Sequence, residues 1–207
     1  MKSLYGYKLN PLNNIVDLGG GYGDLSVNLI SAGYKIKAFI EPDDIKFSAA
    51  KKKLETNATC LHCKIDSEEI FNALDGASSL TIVMQDVIEH IPLAAQKYFF
   101  DGLRKKGIKF TLIGRTPNLK SPFGLRNSFG DNTHIHRFTD MSLRDFLSRI
   151  GFDDISIRSE PYKITGIVSL ARIVPYYLTI LLVSAAFIAI YGSREGWMTP
   201  NLVFRAE

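Results

Sequence analysis

Cysteine is nearly absent from this 207-residue chain: there are two, Cys60 and Cys63, with no second pair at a matching spacing. A structural zinc site takes four ligands, so the CLHC run cannot build one alone. Residues 59–65 read as a strand, and alternation then sends the two thiols to opposite faces. No metal site is expected. Reduced thiols fit a cytosolic setting. The opening MKSLYGYKLNPLNN has no apolar core of the kind a secretory signal needs. The expectation is therefore a cytoplasmic protein. Dense basic runs are also missing. Lys51-Lys52-Lys53 falls in a predicted helix and reads as a solvated face. A net charge of +4 suits an anionic substrate or a membrane surface and does not argue for nucleic acid.

What is present begins at residues 15–26, IVDLGGGYGDLS. An apolar strand ends in Asp17, glycines follow at 19, 20, 21 and 23, and a helical pattern opens at Asp24. A glycine-rich turn between a strand and a helix is a nucleotide-cofactor site, because main chain without Cβ lets the ligand lie directly on it. The dinucleotide fingerprint G-x-G-x-x-G fits Gly19 and Gly21 but meets Asp24 at its third glycine. The spacing here is D-x-G-x-G-x-G.

Further strands and helices alternate along the chain. Strands are expected at Ile36–Ile40, 59–65, Ser79–Gln85, 108–114, 155–158 and 201–205. Helices are expected at 24–32, 45–54, 67–74, from Pro92 to about residue 106, and from Ser142, with Ser142 and Asp145 as a capping box. That order means a doubly wound α/β fold with a mostly parallel, seven-stranded sheet. Ligands of such sheets sit at the carboxyl ends of the strands. Those ends carry Asp17 with its glycines, Glu41-Pro42, Asp66, and Gln85-Asp86. Packing gives carboxylates no reason to gather there. Glu41 lies where an acid accepts both ribose hydroxyls of a bound nucleotide. Asp66 also reads as a helix N-cap.

The leading D-x-G-x-G-x-G resembles the first motif of the class I S-adenosylmethionine-dependent methyltransferases. Residues 86–91, DVIEHI, resemble the D/E-V-L-E-H segment of their small-molecule branch, which includes ubiquinone O-methyltransferases. The runs TPNLKSPFGLRN, GDNTHIHRFT and SLRDFLSRIGF are similar to methyltransferases found with surface-polysaccharide enzymes. The likeness covers residues 15–157, and TPNLVFRAE fits the family's last strand. It implies a Rossmann-like fold and S-adenosylmethionine as cofactor. The cofactor would be held by Asp17, Gly19, Gly20, Gly21, Gly23, Glu41, Pro42, Asp66, Gln85 and Asp86, with Asp66 at the adenine amino group. Residues 86–91 would border the methionine part and the acceptor. Tyr22 departs from the motif, and the region before the first strand is short for the family.

A sulfonium methyl is already electrophilic, so such an enzyme chiefly aligns a nucleophile and excludes water. A hydroxyl acceptor benefits from a general base, for which His90, His134 and His136 are the histidine candidates. His134 and Asp86 are taken as the catalytic pair. Asp131, Thr133 and His134 could equally order their loop by local hydrogen bonds. Arg115, Lys120, Arg126 and Arg137 make the region after the fifth strand basic, which suits an acidic acceptor as well as plain solvation.

Residues 176–191, YYLTILLVSAAFIAIY, form a sixteen-residue stretch without charge. As a helix it would reach about 24 Å, short of a ~30 Å hydrocarbon core. The organisation is thus read as a cofactor-binding core (1–163), an apolar helical insertion (164–197) and a last core strand (198–207). The insertion is expected to contact a membrane surface peripherally, on its inner face, or to pair two subunits; a membrane span and burial as a core helix stay open. The expected activity is methyl transfer to a small or lipid-linked acceptor, such as a sugar hydroxyl, without nucleic acid. A non-catalytic subunit using the insertion for a partner is the alternative, and an NAD enzyme is a third reading weakened by Asp24.

Overall fold

The computed structural model describes residues 3–192 and 198–207. Its centre is a seven-stranded sheet in the order β5-β4-β3-β6-β7-β9-β8. The strands are β3 (Asn14–Leu18), β4 (Ile36–Ile40), β5 (Thr59–Leu61), β6 (Ser79–Gln85), β7 (Lys109–Pro117), β8 (Ile155–Ser159) and β9 (Asn201–Ala206). The first five pair in parallel, and β9 runs antiparallel between β7 and β8. Helices α1 (Asp24–Ser31), α2 (Asp44–Leu54), α3 (Glu68–Ala73), α4 (Leu93–Lys105) and α6 (Asp140–Arg149) pack around it. The central strands are apolar in unbroken runs because both faces are covered. Val16, Ile82, Met84 and Leu112 enter one buried cluster, while Ile15, Val83 and Ile113 enter a second. The doubly wound fold and its last strand are as the residue pattern indicates.

Several boundaries differ. β5 stops at Leu61, so Cys63 lies past the strand and the alternation argument for the two thiols does not hold; both are free and half-buried. The cap of α6 is Thr139, whose hydroxyl accepts from Ser142 N–H at 3.2 Å, with Ser142 answering as the N3 residue. Ser142 is therefore the inner partner of the box and does not open it. Ser67, not Asp66, caps α3. β7 continues to Pro117, three residues past the expected end, because β9 pairs along it as far as Pro117↔Asn201.

The N-terminal hairpin and the short helix after β7 are not indicated by the sequence pattern. A small hairpin, β1 (Ser3–Leu4) and β2 (Tyr7–Lys8), covers the second cluster with Leu4, Tyr5 and Tyr7. The short helix α5 (Leu125–Gly130) follows β7. The insertion between β8 and β9 splits into α7 (Ile167–Ala171) and α8 (Ile173–Tyr191). Helix α8 begins three residues before the expected start. Pro175 fits within its first turn, where no intrahelical N–H is required. No described residue of 164–192 is buried, so the core-helix reading of the insertion is excluded for this chain alone. The expected insertion runs to residue 197, and its last five residues lie outside the described ones.

The aromatic heart of the larger cluster is Phe100, fully buried, with ring centroids of Phe99 and Phe152 each at 5.1 Å and Phe110 at 5.5 Å. Phe100→Ala should cost about 3–5 kcal/mol, read as a lower midpoint in urea titration with the slope unchanged.

Candidate functional site

The glycine turn after β3 is shaped by close approach. At Gly19, φ is +69° and a Cβ would stand 2.6 Å from Val87 Cγ2, so no other residue fits without displacing the segment after β6. Gly20 N–H and Gly19 N–H both donate to the Ile40 carbonyl, and Gly23 N–H donates to Gly20. Gly21 N–H donates to Glu41 Oε2 at 2.8 Å, while Glu41 Oε1 accepts from Asp43 N–H at 3.0 Å. Four loop amides are thus committed to protein acceptors, and the group facing Gly21 is a carboxylate. A pyrophosphate, which needs free amides in a nest, meets the opposite arrangement.

Asp17 does not reach the cavity. It is buried under the turn, where Ser26 Oγ donates to it at 2.5 Å. Burial, only partly offset by that hydrogen bond, pushes its carboxyl up to about 6. Its place is that of an anchor between β3 and α1. Gly19, Glu41, Pro42, Asp66 and Asp86 instead line one cavity of about 510 Å³. Gln85 points to the N-terminal hairpin and accepts from Tyr5 Oη at 2.6 Å. Tyr22 is about half exposed and is not among the lining residues.

A second cavity, of about 560 Å³, shares Lys46, Asp86, His90 and Asp131 with the first. Glu89, Arg115, Arg126, His134 and Asn201 belong to it alone. Asp86 is the hinge between them. It takes φ +54°, a left-handed conformation uncommon for a residue with a side chain. Its carboxylate is gripped by the Arg115 guanidinium fork, which also reaches Glu160 at 3.1 Å. That changes the reading of Arg115. Arg115 lies in β7, not in the loop beyond it, and it is already occupied by two carboxylates. Lys120 and Arg137 also have partners, in Asp140 at 3.6 Å and the Ser128 carbonyl at 3.1 Å. Arg126 is exposed at the second cavity.

Beside Asp86 the fold gathers Glu89, His90 and His134, whose ligand-capable atoms all lie within 4.8 Å of one another. Hydrogen bonding sets both tautomers. His134 Nδ1 faces the Ser128 carbonyl at 3.0 Å, and a carbonyl only accepts, so Nδ1 carries the proton and Nε2 a lone pair. Thr133 Oγ1 spends its proton on Asp131 Oδ1 at 2.6 Å, so it accepts from His90 Nδ1 at 3.0 Å. His90 Nε2 is then also a lone-pair donor. Burial, helped by His134, lowers the His90 pKa and keeps the ring neutral. Glu89 Oε2 accepts from Thr116 at 3.1 Å, but the buried Oε1 has no partner and stands 3.8 Å from His134 Nε2. Two imidazoles braced through Nδ1–H and one carboxylate are a donor set that holds a divalent cation. The sequence reading named no metal ligands and did not single out Glu89; its signal was an acid next to His90 just past β6. His136 lies apart, against Phe138 and Phe146.

Burial pushes the Glu89 carboxyl from 4.5 up to about 8. The folded state binds this proton more tightly, so the stabilisation is complete below pH 4.5 and is lost as pH rises through 8. Glu89→Gln removes the titration. In chelator, thermal melts from pH 5 to 9 should show the wild type falling progressively behind the variant, by about 1.4 kcal/mol per pH unit of displacement.

No protein-family model and no curated protein matches the chain. Solved structures do. A SAM-dependent methyltransferase from Archaeoglobus fulgidus superposes with a TM-score of 0.61 at 15% identity, covering 94% of this chain and 85% of that one. The fold is that of the SAM-dependent methyltransferases. A S-adenosylmethionine-dependent methyltransferase from Mesorhizobium loti gives 0.58 at 12% identity, covering 96% and 93%. The small RNA methyltransferase HEN1 gives 0.59 at 16%, covering 94% of this chain but 23% of HEN1. At such identities the likeness is one of fold, and the chemistry has to come from the residues above.

Proposed function

We propose that the protein is an S-adenosylmethionine-dependent methyltransferase acting on a hydroxyl of a small or lipid-linked acceptor, with a sugar hydroxyl as the leading candidate. The observation that carries this is the Glu41 carboxylate against Gly21 N–H. It leaves the glycine turn without an anion nest, yet it retains lone pairs for two ribose hydroxyls and a negative charge for a cationic ligand. When bound, S-adenosylmethionine supplies an electrophilic methyl on sulfur. Glu41 would hold the ribose, Asp66 the adenine, and the bare main chain at Gly19 and Gly21 would admit the body of the cofactor.

Asp86, locked by Arg115, stands between the cofactor cavity and the acceptor cavity. In the second cavity the His134 Nε2 lone pair would take the acceptor's proton, oriented by the Nδ1–H bond to Ser128. Glu89 Oε1 lies within reach of a group seated at Nε2 and, protonated near neutral pH, would accept or donate a hydrogen bond there. A second reading is favoured by the unpartnered Glu89 Oε1: a divalent cation on Glu89, His90 and His134 that orients the acceptor oxygen.

Calorimetry with S-adenosylmethionine and with NAD tests the cofactor; NAD binding in its place overturns the reading. Mass spectrometry of products from labelled cofactor, offered sugar, lipid-linked sugar and RNA acceptors, tests the substrate class. Methylated RNA alone would overturn the sugar assignment. Loss of turnover in chelator, restored by a divalent cation, selects the cation over the histidine base.

A further inference from the structure

The insertion between β8 and β9 is the largest feature that the proposed chemistry does not use. Helix α8 has 19 residues without a charged side chain, and none of them is buried against the rest of the fold. Its apolar residues lie on every side: Val174, Leu178 and Leu181 are exposed on one face, and Ile180, Val183 and Phe187, only partly covered, lie on the opposite one. A helix that docks on one partner shows one apolar stripe; a helix apolar on every side needs an apolar medium on every side. That favours lipid over a single protein face.

The length, about 28 Å, matches a bilayer core, yet the attachments forbid a crossing. At the start, Tyr162 packs on Tyr176 with centroids 4.7 Å apart, and Glu160 N–H donates to the Asn201 carbonyl. At the end, Met198 is buried, and its carbonyl accepts from Ser121 at 2.8 Å. From Tyr191 back to Met198 the chain has seven steps, at most about 25 Å fully extended. A crossing helix would leave its far end beyond that reach. It would also draw Arg194, Glu195 and unpaired amides through hydrocarbon, which the bilayer does not permit.

Both ends of the insertion therefore stay with the domain on one side. We propose that residues 164–192 are a monotopic anchor that lies within one leaflet of an anionic membrane. The charge at its root does not oppose this: Arg172 is exposed there, and Lys163 together with Arg115 offsets Glu160 and Asp86. The root adjoins the second cavity through Glu160. Asn201, which lines that cavity, donates to Glu160 at 2.7 Å, and Glu160 holds Arg115. An anchor at this point sets the cavity at the headgroup level, where a lipid-linked acceptor presents its polar end. The anchor stands without the methyl-transfer reading; only the meaning of the cavity's position rests on it.

The test is flotation of the full chain, diluted from detergent onto vesicles of phosphatidylcholine with a quarter phosphatidylglycerol. The protein should rise with the vesicles, several-fold more than on phosphatidylcholine alone. Leu178→Lys/Leu181→Lys/Leu182→Lys should lower the floated fraction at least tenfold with an unchanged near-ultraviolet spectrum, since these side chains support nothing in the fold. Wild type that remains at the bottom as a soluble dimer or larger assembly overturns the proposal in favour of contact between copies. Single cysteines placed by Lys163→Cys or Tyr191→Cys, with Cys60→Ser and Cys63→Ser, should both react with impermeant maleimide from outside the vesicle. Reaction of Tyr191→Cys only from the lumen would establish a span and overturn it. Flotation needs no cofactor, so its failure is distinct from a failure to bind S-adenosylmethionine.

Discussion

Glu41→Ala should weaken S-adenosylmethionine binding about a hundredfold, the equivalent of roughly 3 kcal/mol. Glu41 is buried at the end of β4, and each of its oxygens already accepts one backbone N–H, from Gly21 and Asp43. A carboxylate has about four acceptor sites, so two remain for ribose hydroxyls. Charge-assisted hydrogen bonds contribute about 1.5–3 kcal/mol each. Alanine forfeits them and also releases the Gly21 amide, loosening the turn that approaches the ligand. Glu41→Gln keeps the shape but loses the charge and one acceptor, so its loss should be smaller. Isothermal calorimetry reads both, with melting curves to show that the variants are folded. Unchanged affinity in Glu41→Ala would remove Glu41 from the site.

His134→Ala should lower turnover by about 10²–10⁴ while leaving S-adenosylmethionine affinity within about twofold. The ring is buried in the second cavity, not the first, so the cofactor has little contact to lose. Its Nδ1 proton is committed to Ser128, which fixes Nε2 as the lone pair available to an acceptor or a cation. His90→Ala separates the two roles. A base mechanism leaves His90 with a modest supporting effect, whereas a shared cation makes both losses comparable and makes the activity sensitive to chelator. Single-turnover rates with labelled cofactor measure the difference. Full turnover in His134→Ala would exclude both roles for this residue.

The sheet was legible because its strands are continuous apolar runs with acids at their ends, and Ile36–Ile40 and Ser79–Gln85 match the structure residue for residue. Glu41, Asp66 and Asp86 could be picked out because nothing in a core explains a carboxylate at a strand end. Asp17 followed the same logic and lies elsewhere: its side chain turns under the loop to Ser26, a direction that strand position alone does not reveal. Glu89 was hidden for the complementary reason. It lies in a short 3₁₀ turn, Ile88–His90, where neither helical nor strand periodicity assigns a face. Arg115 read as a loop cation because the added length of β7 depends on β9, which lies about ninety residues away in the chain. Thr139 was passed over because Ser142 offers the same chemistry three residues later, and only backbone geometry tells cap from partner.

The position of β9 has a consequence for how the chain is made. β8 pairs with β9 and with no other described strand, and the two are separated by about forty residues that include α8. During synthesis β8 leaves the ribosome with its hydrogen-bonding edges idle, and α8 follows before the strand that must slot between β8 and β7 exists. The apolar helix is thus offered to its surroundings while the nascent domain is unfinished. With α8 as the proposed anchor, lipid would take up the apolar helix at that stage, before β9 closes the sheet.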